Sequence, residues 1–388
     1  MSRFLARYPI AAALAVATTV ALSACSGGDA STPSATPDNT DLQAKMTALV
    51  DAPLGPPGVL TLVKKGDAQP TVTSVGTGNT ATNEPISPND VTRIASVSKA
   101  FSGAAALVLV RDGKLKTTDT IGQTIKGLPK AWEQITLAQL LQHTSGLPDY
   151  IKNENFIKQF SNDLAQSWTP QELLAFVENT PVNFAPGSTY KYSDTDNIVV
   201  GLIVESVTGR PYEKELEELV YKPLKLTATS LPNTVAMPNP FIRGYDYNEL
   251  DEKEDITDLI NPTAAWASGG MLSTVNDLDA FIRAYASGQL VGEAARNEQF
   301  TFVEGESGPP GPGQNSAGLG IFQYTTACGT VYGHTGNYPG YVTFIAATED
   351  GANSAVVIAN TQINVGSPND LYPKLQAVFD AAACSALQ

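Results

Sequence analysis

Histidine and cysteine are scarce in this sequence, whose 388 residues include two histidines and three cysteines. None of them stands in an H-x-H, H-E-x-x-H or C-x-x-C spacing, the patterns typical of catalytic zinc sites. A metal mechanism is therefore excluded at this stage, and the sequence predicts no cofactor.

Basic residues are also few, since 24 Lys and Arg face 39 Asp and Glu, for a formal charge of -15. The basic residues are scattered rather than clustered. Because nucleic-acid affinity depends on Lys and Arg that neutralise phosphates, nucleic acid is excluded as a partner. We expect a monomer that acts on a small molecule or a peptide.

A hydrophobic run long enough to span a membrane is missing as well. The apolar stretch from Ile10 to Leu22 follows Arg3 and Arg7, and it is shorter than the roughly 20 residues of a spanning helix. This pattern predicts a secretory signal peptide over residues 1–24. The segment Leu22-Ser-Ala-Cys25 resembles a bacterial lipobox, which implies lipidation of Cys25; the alternative is an ordinary signal peptide with a chance cysteine.

Residues 25–40 are rich in Ser, Thr, Gly and Pro. Such a composition cannot bury apolar surface and predicts a flexible tether. The chain is thus expected to be exported and lipid-anchored on the outer face of the cell membrane, with the folded part starting near Asp41.

Cys328 and Cys384 form an even pair in an exported chain, so a disulfide between them is the default expectation. Two buried free thiols are the alternative.

The order of predicted elements is β, then α, then β again. Gly58 to Lys64 and Thr71 to Gly76 have strand patterns, and strands return after residue 313. Residues 116–294 have mostly helical patterns. We predict an α/β (α+β) fold in which residues 41–115 and 295–388 build one antiparallel sheet flanked by helices, and residues 116–294 form an inserted all-helical domain.

Two Ser-x-x-Lys motifs occur, at Ser96–Lys99 and Ser188–Lys191. This spacing puts a hydroxyl and an amine on one face of a helix. Ser188 follows Pro-Gly in a turn, whereas Ser96 opens an apolar helix whose N-terminus favours an oxyanion and a neutral amine. Ser96 is therefore the candidate nucleophile and Lys99 the candidate base; the alternative is a helix-capping serine with an unrelated lysine.

Further motifs follow in the chain: Tyr192-Ser-Asp194, His334-Thr335-Gly336, His143-Thr-Ser-Gly-Leu and Trp266-Ala-Ser-Gly-Gly. With these residues the sequence resembles the class C β-lactamase and D-alanyl-D-alanine carboxypeptidase family, and its motif pattern is similar to that of the actinomycete carboxypeptidases. The resemblance runs from about Leu42 to Cys384 and implies a β-lactamase/transpeptidase-like fold.

The resemblance also implies roles for individual residues. Ser96 is acylated, Lys99 aids proton transfer, Tyr192 acts as acid and base at the leaving group, and His334 tunes Tyr192. The backbone N–H groups of Ser96 and Asn337 form an oxyanion hole. The remaining predicted substrate-binding residues are Asp194, Trp266, Thr335, Gly336 and Asn337; for Trp266, simple core packing is an equally good interpretation.

Two departures from the family pattern bear on substrate choice. Asp194 replaces the amide of Tyr-x-Asn, so that position loses its NH2 donor. Phe322 stands where relatives with carboxypeptidase activity carry an arginine for the substrate carboxylate, and no Lys or Arg occurs from Asn297 through Pro373.

Three functional classes remain to be weighed. The first is a serine hydrolase that acts through an acyl-enzyme on peptide, β-lactam or ester carbonyls. The second is a lipoprotein esterase for uncharged acyl substrates, and the third a non-catalytic envelope binding protein. An α/β-hydrolase is excluded because the sequence has no Gly-x-Ser-x-Gly elbow.

Overall fold

The computed structural model describes residues 39–306 and 311–388. The predicted signal peptide, Cys25 and nearly all of the predicted tether lie outside these residues. The first helix begins at Asn39. Within the two described ranges, no helix combines the length and the apolar character needed to cross a membrane.

The helices are α1 (Asn39–Val50), α2 (Ser98–Arg111), α3 (Ile121–Thr124), α4 (Leu137–Leu141), α5 (Glu154–Asn162), α6 (Pro170–Ala175), α7 (Asp194–Thr208), α8 (Tyr212–Leu216), α9 (Lys222–Leu224), α10 (Trp266–Gly269), α11 (Val275–Ala286), α12 (Glu293–Gln299) and α13 (Leu371–Leu387). The strands are β1 (Gly58–Lys64), β2 (Thr71–Gly76), β3 (Thr92–Arg93), β4 (Tyr190–Lys191), β5 (Tyr245–Tyr247), β6 (Lys253–Asp255), β7 (Leu272–Ser273), β8 (Gly305–Glu306), β9 (Asn315–Ala317), β10 (Phe322–Thr326), β11 (Gly329–Tyr338), β12 (Tyr341–Ala347) and β13 (Ser354–Ala359).

One seven-stranded sheet organises the molecule, in the order β2-β1-β13-β12-β11-β10-β9. All its strand pairs are antiparallel. The N-terminal strand β1 lies beside the last strand β13, with Val59 opposite Ala359. The predicted sheet built from both ends of the chain is thus confirmed.

Both faces of the sheet are covered, because apolar side chains alternate along the buried strands. In β1, Leu60 and Leu62 face a core shared with α2 and the helical region. Val59 and Val63 face the opposite core, which α1 and α13 close. The result is three layers with the sheet in the middle.

Helix α2 lies between the sheet and the helical region. Every residue from Ser98 to Leu109 is buried, as its continuous run of small and apolar side chains predicts. The helix begins two residues later than Ser96, because a 3₁₀ turn over Ala95–Val97 precedes it.

The prediction of an all-helical segment over residues 116–294 is corrected by the structure. This segment also contains β4, the two-stranded ribbon of β5 and β6, and β7. In addition, α11 packs on β12 and β13, so its residues belong to the layer that covers the sheet. Short polar strands in loops lack the alternating apolar pattern by which strands are recognised.

Candidate active site

Ser96 lies in the 3₁₀ turn that leads into α2. The residue before it, Ala95, has a φ of +50°, a left-handed conformation that is unfavourable for a residue with a Cβ atom. The chain therefore turns sharply at this point, and the packing of a buried alanine stabilises the turn. Such local strain is typical of functional sites.

Lys99 lies in the first turn of α2, and its ammonium nitrogen is surrounded by acceptors. Its Nζ is 3.1 Å from Ser96 Oγ, 2.6 Å from Asp194 Oδ1 and 2.7 Å from the carbonyl oxygen of Ser268 in α10. The Lys99 side chain is 1% exposed. The predicted nucleophile and base are thus within hydrogen-bonding distance, and the amine is held by two further groups.

Asp194 is the first residue of α7, where a carboxylate suits the positive end of the helix dipole. The helix ends at Gly209, which has a φ of +70° and forms a glycine C-cap. The start of α7 is fixed against α2 by a second contact, from Asn197 Nδ2 to Ser102 Oγ at 2.6 Å. Asp194 is therefore directed at Lys99 by the packing of the two helices.

Tyr192 lies between β4 and α7, and its ring is 4.8 Å from Lys99 Nζ. Its hydroxyl is buried, and burial followed by the charge of Asp194 raises the pKa of the phenol well above its usual range, although the Ser96 side chain lowers it. Tyr192 is consequently protonated at rest, and its phenol lies beside the nucleophile.

His334 lies in the middle of β11. Its Nδ1 donates to the carbonyl of Thr335 over 2.6 Å. Burial and the nearby charge of Lys99 hold the pKa of His334 well below its usual range, so the imidazole is neutral. Its ring lies 6.5 Å from that of Tyr192, between ring centroids.

Gly336 brings β11 against the nucleophile. A Cβ atom at this position would lie 2.3 Å from the carbonyl oxygen of Ile94 and 3.1 Å from the backbone nitrogen of Ser96, so only glycine fits. The pairing of β11 with β10 ends at Gly333, which leaves this part of β11 adjacent to Ser96. The adjacency is consistent with the predicted oxyanion donors, the N–H groups of Ser96 and Asn337.

Two other predicted substrate-binding residues have little or reduced exposure, Thr335 being buried and Asn337 partly buried. Thr335 is 2% exposed. The amide of Asn337 donates to the carbonyl of Ile363 and to Asn364 Oδ1, so this side chain anchors the loop after β13.

Trp266 lies in the core and is 5% exposed. Its ring packs against Tyr212, at 5.0 Å between ring centroids, and its Nε1 donates to Glu213 over 2.9 Å. A Cβ atom at Gly201 of α7 would come within 2.7 Å of the indole. These contacts favour core packing over the predicted role in substrate binding.

Three residues that lie next to the predicted site were missed in the sequence: His143, Asp149 and Asp196. Asp196 is fully buried and lies 2.8 Å from His143 Nδ1 through its Oδ2. The His143 ring lies 4.5 Å from that of Tyr192, and its carbonyl accepts the N–H of Lys191. The His143-Thr-Ser-Gly motif is the one sequence signal near these residues, and the motif alone predicts no role for His143.

Phe322 closes this part of the site and is 2% exposed. Its ring lies 4.7 Å from that of His334 and 6.3 Å from that of Tyr192. An apolar side chain thus occupies the position where the resemblance implies a carboxylate-binding arginine.

A cavity of about 350 Å³ opens beside Tyr192. Asp149 lines it together with Leu147, Pro148 and Val177, and two cations, Lys152 and Lys191, also contribute. Lys152 pairs with Asp149 over 3.2 Å. Among the described residues there is no cluster of His, Cys, Asp or Glu that could hold a metal.

Comparison with known proteins agrees with this geometry. The family model described as Beta-lactamase matches residues 46–378. Penicillin-binding protein 4* of Bacillus subtilis (strain 168) is 24% identical over 302 residues, which are 74% of this chain and 65% of that protein. A putative D-alanyl-D-alanine carboxypeptidase of Escherichia coli (strain K12) is 31% identical over 172 residues, 42% of this chain and 37% of that protein. The chain thus matches only part of the length of these two relatives.

Solved structures show the same fold over nearly the whole described chain. A D-stereospecific amidohydrolase from Streptomyces sp. has a TM-score of 0.78 at 30% identity and covers 89% of this chain and 99% of its own. A D-amino acid amidase from Ochrobactrum anthropi SV3, complexed with D-phenylalanine, has the same TM-score and coverage at 23% identity.

Proposed function

Because this chain belongs to the Beta-lactamase family and is a serine hydrolase, we propose that it cleaves amides and esters with an uncharged leaving group through an acyl-enzyme on Ser96. The observation that carries the proposal is the contact of Lys99 Nζ with Ser96 Oγ, 3.1 Å, beside the protonated phenol of Tyr192. The arrangement has the parts that an activated serine needs.

In the acylation step, Ser96 Oγ bonds to the substrate carbonyl carbon and its proton passes to Lys99 Nζ. This step requires Lys99 as the neutral amine, whose two N–H groups can bond to Asp194 Oδ1 and the Ser268 carbonyl oxygen while its lone pair faces the serine hydroxyl. Tyr192 gives its proton to the leaving amine or alcohol as the bond to the carbonyl carbon breaks, and recovers a proton from Lys99. Water then cleaves the ester by the same transfers in reverse.

The preference for an uncharged leaving group rests on Phe322. This side chain is buried against His334, which is itself neutral, and residues 297–373 contain no Lys or Arg. Hydrogen bonds to charged groups contribute about 1.5–3 kcal/mol. The affinity of this site for a free C-terminal carboxylate should therefore be roughly tenfold to a hundredfold lower than that of a site with an arginine. The affinity for a neutral amide or ester should not be reduced in this way. The name of the Streptomyces neighbour, an amidohydrolase, supports the same class.

A carboxypeptidase on D-alanyl-D-alanine peptides is the second candidate. It is favoured by Lys191, which lines the cavity beside Tyr192 and makes no ion pair with the described side chains. In this alternative, a lysine from the helical region replaces the missing arginine.

A labelling experiment tests the nucleophile. A fluorophosphonate probe should add one adduct to the purified protein by intact-protein mass spectrometry, and Ser96→Ala should abolish it. The matched control is Ser188→Ala, because Ser188 belongs to the other Ser-x-x-Lys motif and is exposed; this variant should label normally. An adduct on Ser96→Ala would refute the nucleophile.

A substrate pair separates the two candidates. The kcat/KM for a D-Ala-D-Ala peptide should be lower than that for the same peptide with an amidated C-terminus. A higher value for the free carboxylate would replace the proposed class by carboxypeptidase activity.

We also propose export and lipid anchoring through Cys25, on the basis of the signal-like segment before it. The native chain should fractionate with membranes, and Cys25→Ser should be released; equal release of both proteins would contradict the anchor.

A further inference from the structure

Asp194 differs from its family counterpart in hydrogen-bonding capacity. The asparagine implied by Tyr-x-Asn has an NH2 donor as well as an acceptor, whereas a carboxylate only accepts. A substrate carbonyl placed against Asp194 would therefore meet a second acceptor, while a substrate N–H group would find a partner.

The carboxylate of Asp194 is close enough to contact an acyl group on Ser96. Its Oδ1 is joined to Ser96 Oγ through a single atom, Lys99 Nζ, by bonds of 2.6 Å and 3.1 Å. The substituent on the α-carbon of an acyl group lies two bonds beyond the carbonyl carbon that Ser96 attacks. Asp194 is thus within reach of that substituent.

One oxygen of Asp194 remains available to a ligand. Lys99 binds Oδ1, and no described residue donates to Oδ2. The Asp194 side chain is 12% exposed, compared with 1% for Lys99. The carboxylate, and not the amine, therefore faces the opening of the site.

The two lysines that contact Asp194 or its neighbour Asp149 are already paired. Lys99 is engaged by three acceptors, and Lys152 pairs with Asp149, whose Oδ1 accepts the backbone N–H of Asp194 over 3.2 Å. Lys191 lines the neighbouring cavity. A cationic group of a ligand would contact the Asp194 carboxylate directly, and the carboxyl group of Asp149 would lie behind it.

We propose that Asp194 is a specificity-determining residue that binds an ammonium group on the α-carbon of the substrate acyl unit, so that the enzyme acts on amides and esters of amino acids with a free amine and discriminates against N-acylated substrates. The inference deepens the proposed function and rests on it.

This assignment also connects binding to the base. In the free enzyme, Lys99 and Asp194 neutralise each other's charge. A substrate ammonium beside Asp194 would be a second cationic partner for the carboxylate that contacts Lys99. An N-acylated substrate provides no such charge.

Competition measures the preference without requiring turnover of the competitor. The Ser96-dependent hydrolysis of p-nitrophenyl acetate serves as reporter, and alanine amide and N-acetylalanine amide, each as D and L enantiomers, serve as inhibitors. We expect the free amine of one enantiomer to bind at least about tenfold more tightly than its N-acetyl form. Asp194→Asn should remove this preference and increase the rate at which benzylpenicillin, an N-acylated compound, labels Ser96.

Asp149→Asn is the matched variant, since it removes the neighbouring carboxyl group and leaves the contact of Asp194 with Lys99. It should retain the preference. Equal binding of free and N-acetyl amides by the native enzyme would overturn the inference, as would loss of the preference in Asp149→Asn but not in Asp194→Asn. Absence of Ser96-dependent ester hydrolysis would instead count against the proposed function.

Discussion

Asp149 and Asp194 form a pair of carboxyl groups in which one side chain supports the backbone of the other. Asp149 Oδ1 accepts the N–H of Asp194 over 3.2 Å. Burial first, and the charge of Asp194 second, raise the pKa of Asp149 to about 7. Protonation of the buried Asp149 is therefore coupled to the start of α7, where Asp194, the partner of Lys99, lies.

This coupling predicts a pH-dependent stability. Between about pH 4 and pH 7 the unfolded chain releases the Asp149 proton while the folded chain keeps it, so the contribution is present at low pH and lost as pH rises through about 7. Asp149→Asn keeps a carbonyl acceptor for Asp194 N–H but cannot ionise. Its melting temperature minus that of the native protein should increase from pH 4 to pH 8.

Asp67→Asn controls for the general loss of one acid, because Asp67 is exposed. The melting temperature of Asp67→Asn minus that of the native protein should stay constant from pH 4 to pH 8. A flat difference for Asp149→Asn would show that Asp149 ionises as easily in the folded as in the unfolded chain.

The disulfide between Cys328 and Cys384 gives a second prediction. It joins the turn between β10 and β11 to α13, across 56 residues, with a Cα–Cα distance of 5.2 Å. Closing a loop of this size is worth about 2–5 kcal/mol, so the Cys328→Ser/Cys384→Ser variant should unfold at lower denaturant concentration. Ester hydrolysis at 25 °C should not change, since neither cysteine contacts the site. An unchanged unfolding midpoint would contradict this account.

The sheet and its buried helices could be predicted because their patterns are strong. The bounds of β1 and β2 and the antiparallel sheet follow from alternating or continuous apolar runs. The family resemblance, drawn from motifs at Ser96, Tyr192 and His334, is confirmed by the family match over residues 46–378. Membership of class C in particular is not established by that match.

The remainder of the site depends on tertiary contacts that no local pattern encodes. The motif around Trp266 is the same whether this side chain lines a cleft or packs in the core. The close packing of Gly201 against its ring, a tertiary contact, indicates the core position. Asp149 is a single acid in a loop and Asp196 a single acid in the first turn of α7, and their burial arises from how α7 packs. Neither the network of His143 nor the burial of Phe322 could therefore be predicted.

The network of His143 and Asp196 supports the loop that carries Tyr192. Burial, as the largest cause, raises the pKa of Asp196 well above its usual range and lowers that of His143 to about 3. The pair is therefore neutral. His143 Nδ1 also receives the N–H of Ser193 at 3.5 Å, so Nδ1 is an acceptor and the proton between the two side chains belongs to Asp196 Oδ2. Ser145 donates to the other oxygen of Asp196.

This proton assignment predicts that Asp196→Asn changes stability and activity very little, whereas Asp196→Ala lowers both. In Asp196→Asn the amide NH2 donates to His143 Nδ1 and the carbonyl accepts from Ser145, so stability and kcat/KM should remain close to native. In Asp196→Ala each buried polar group left without a partner costs about 1–3 kcal/mol, and the Tyr192 loop loses its support, so kcat/KM for p-nitrophenyl acetate should fall about tenfold or more. Chemical denaturation and steady-state kinetics of both variants measure the contrast. If Asp196→Asn were as damaging as Asp196→Ala, the proton assignment would be wrong, and Asp196 would be a charged aspartate that accepts a proton from His143 Nδ1.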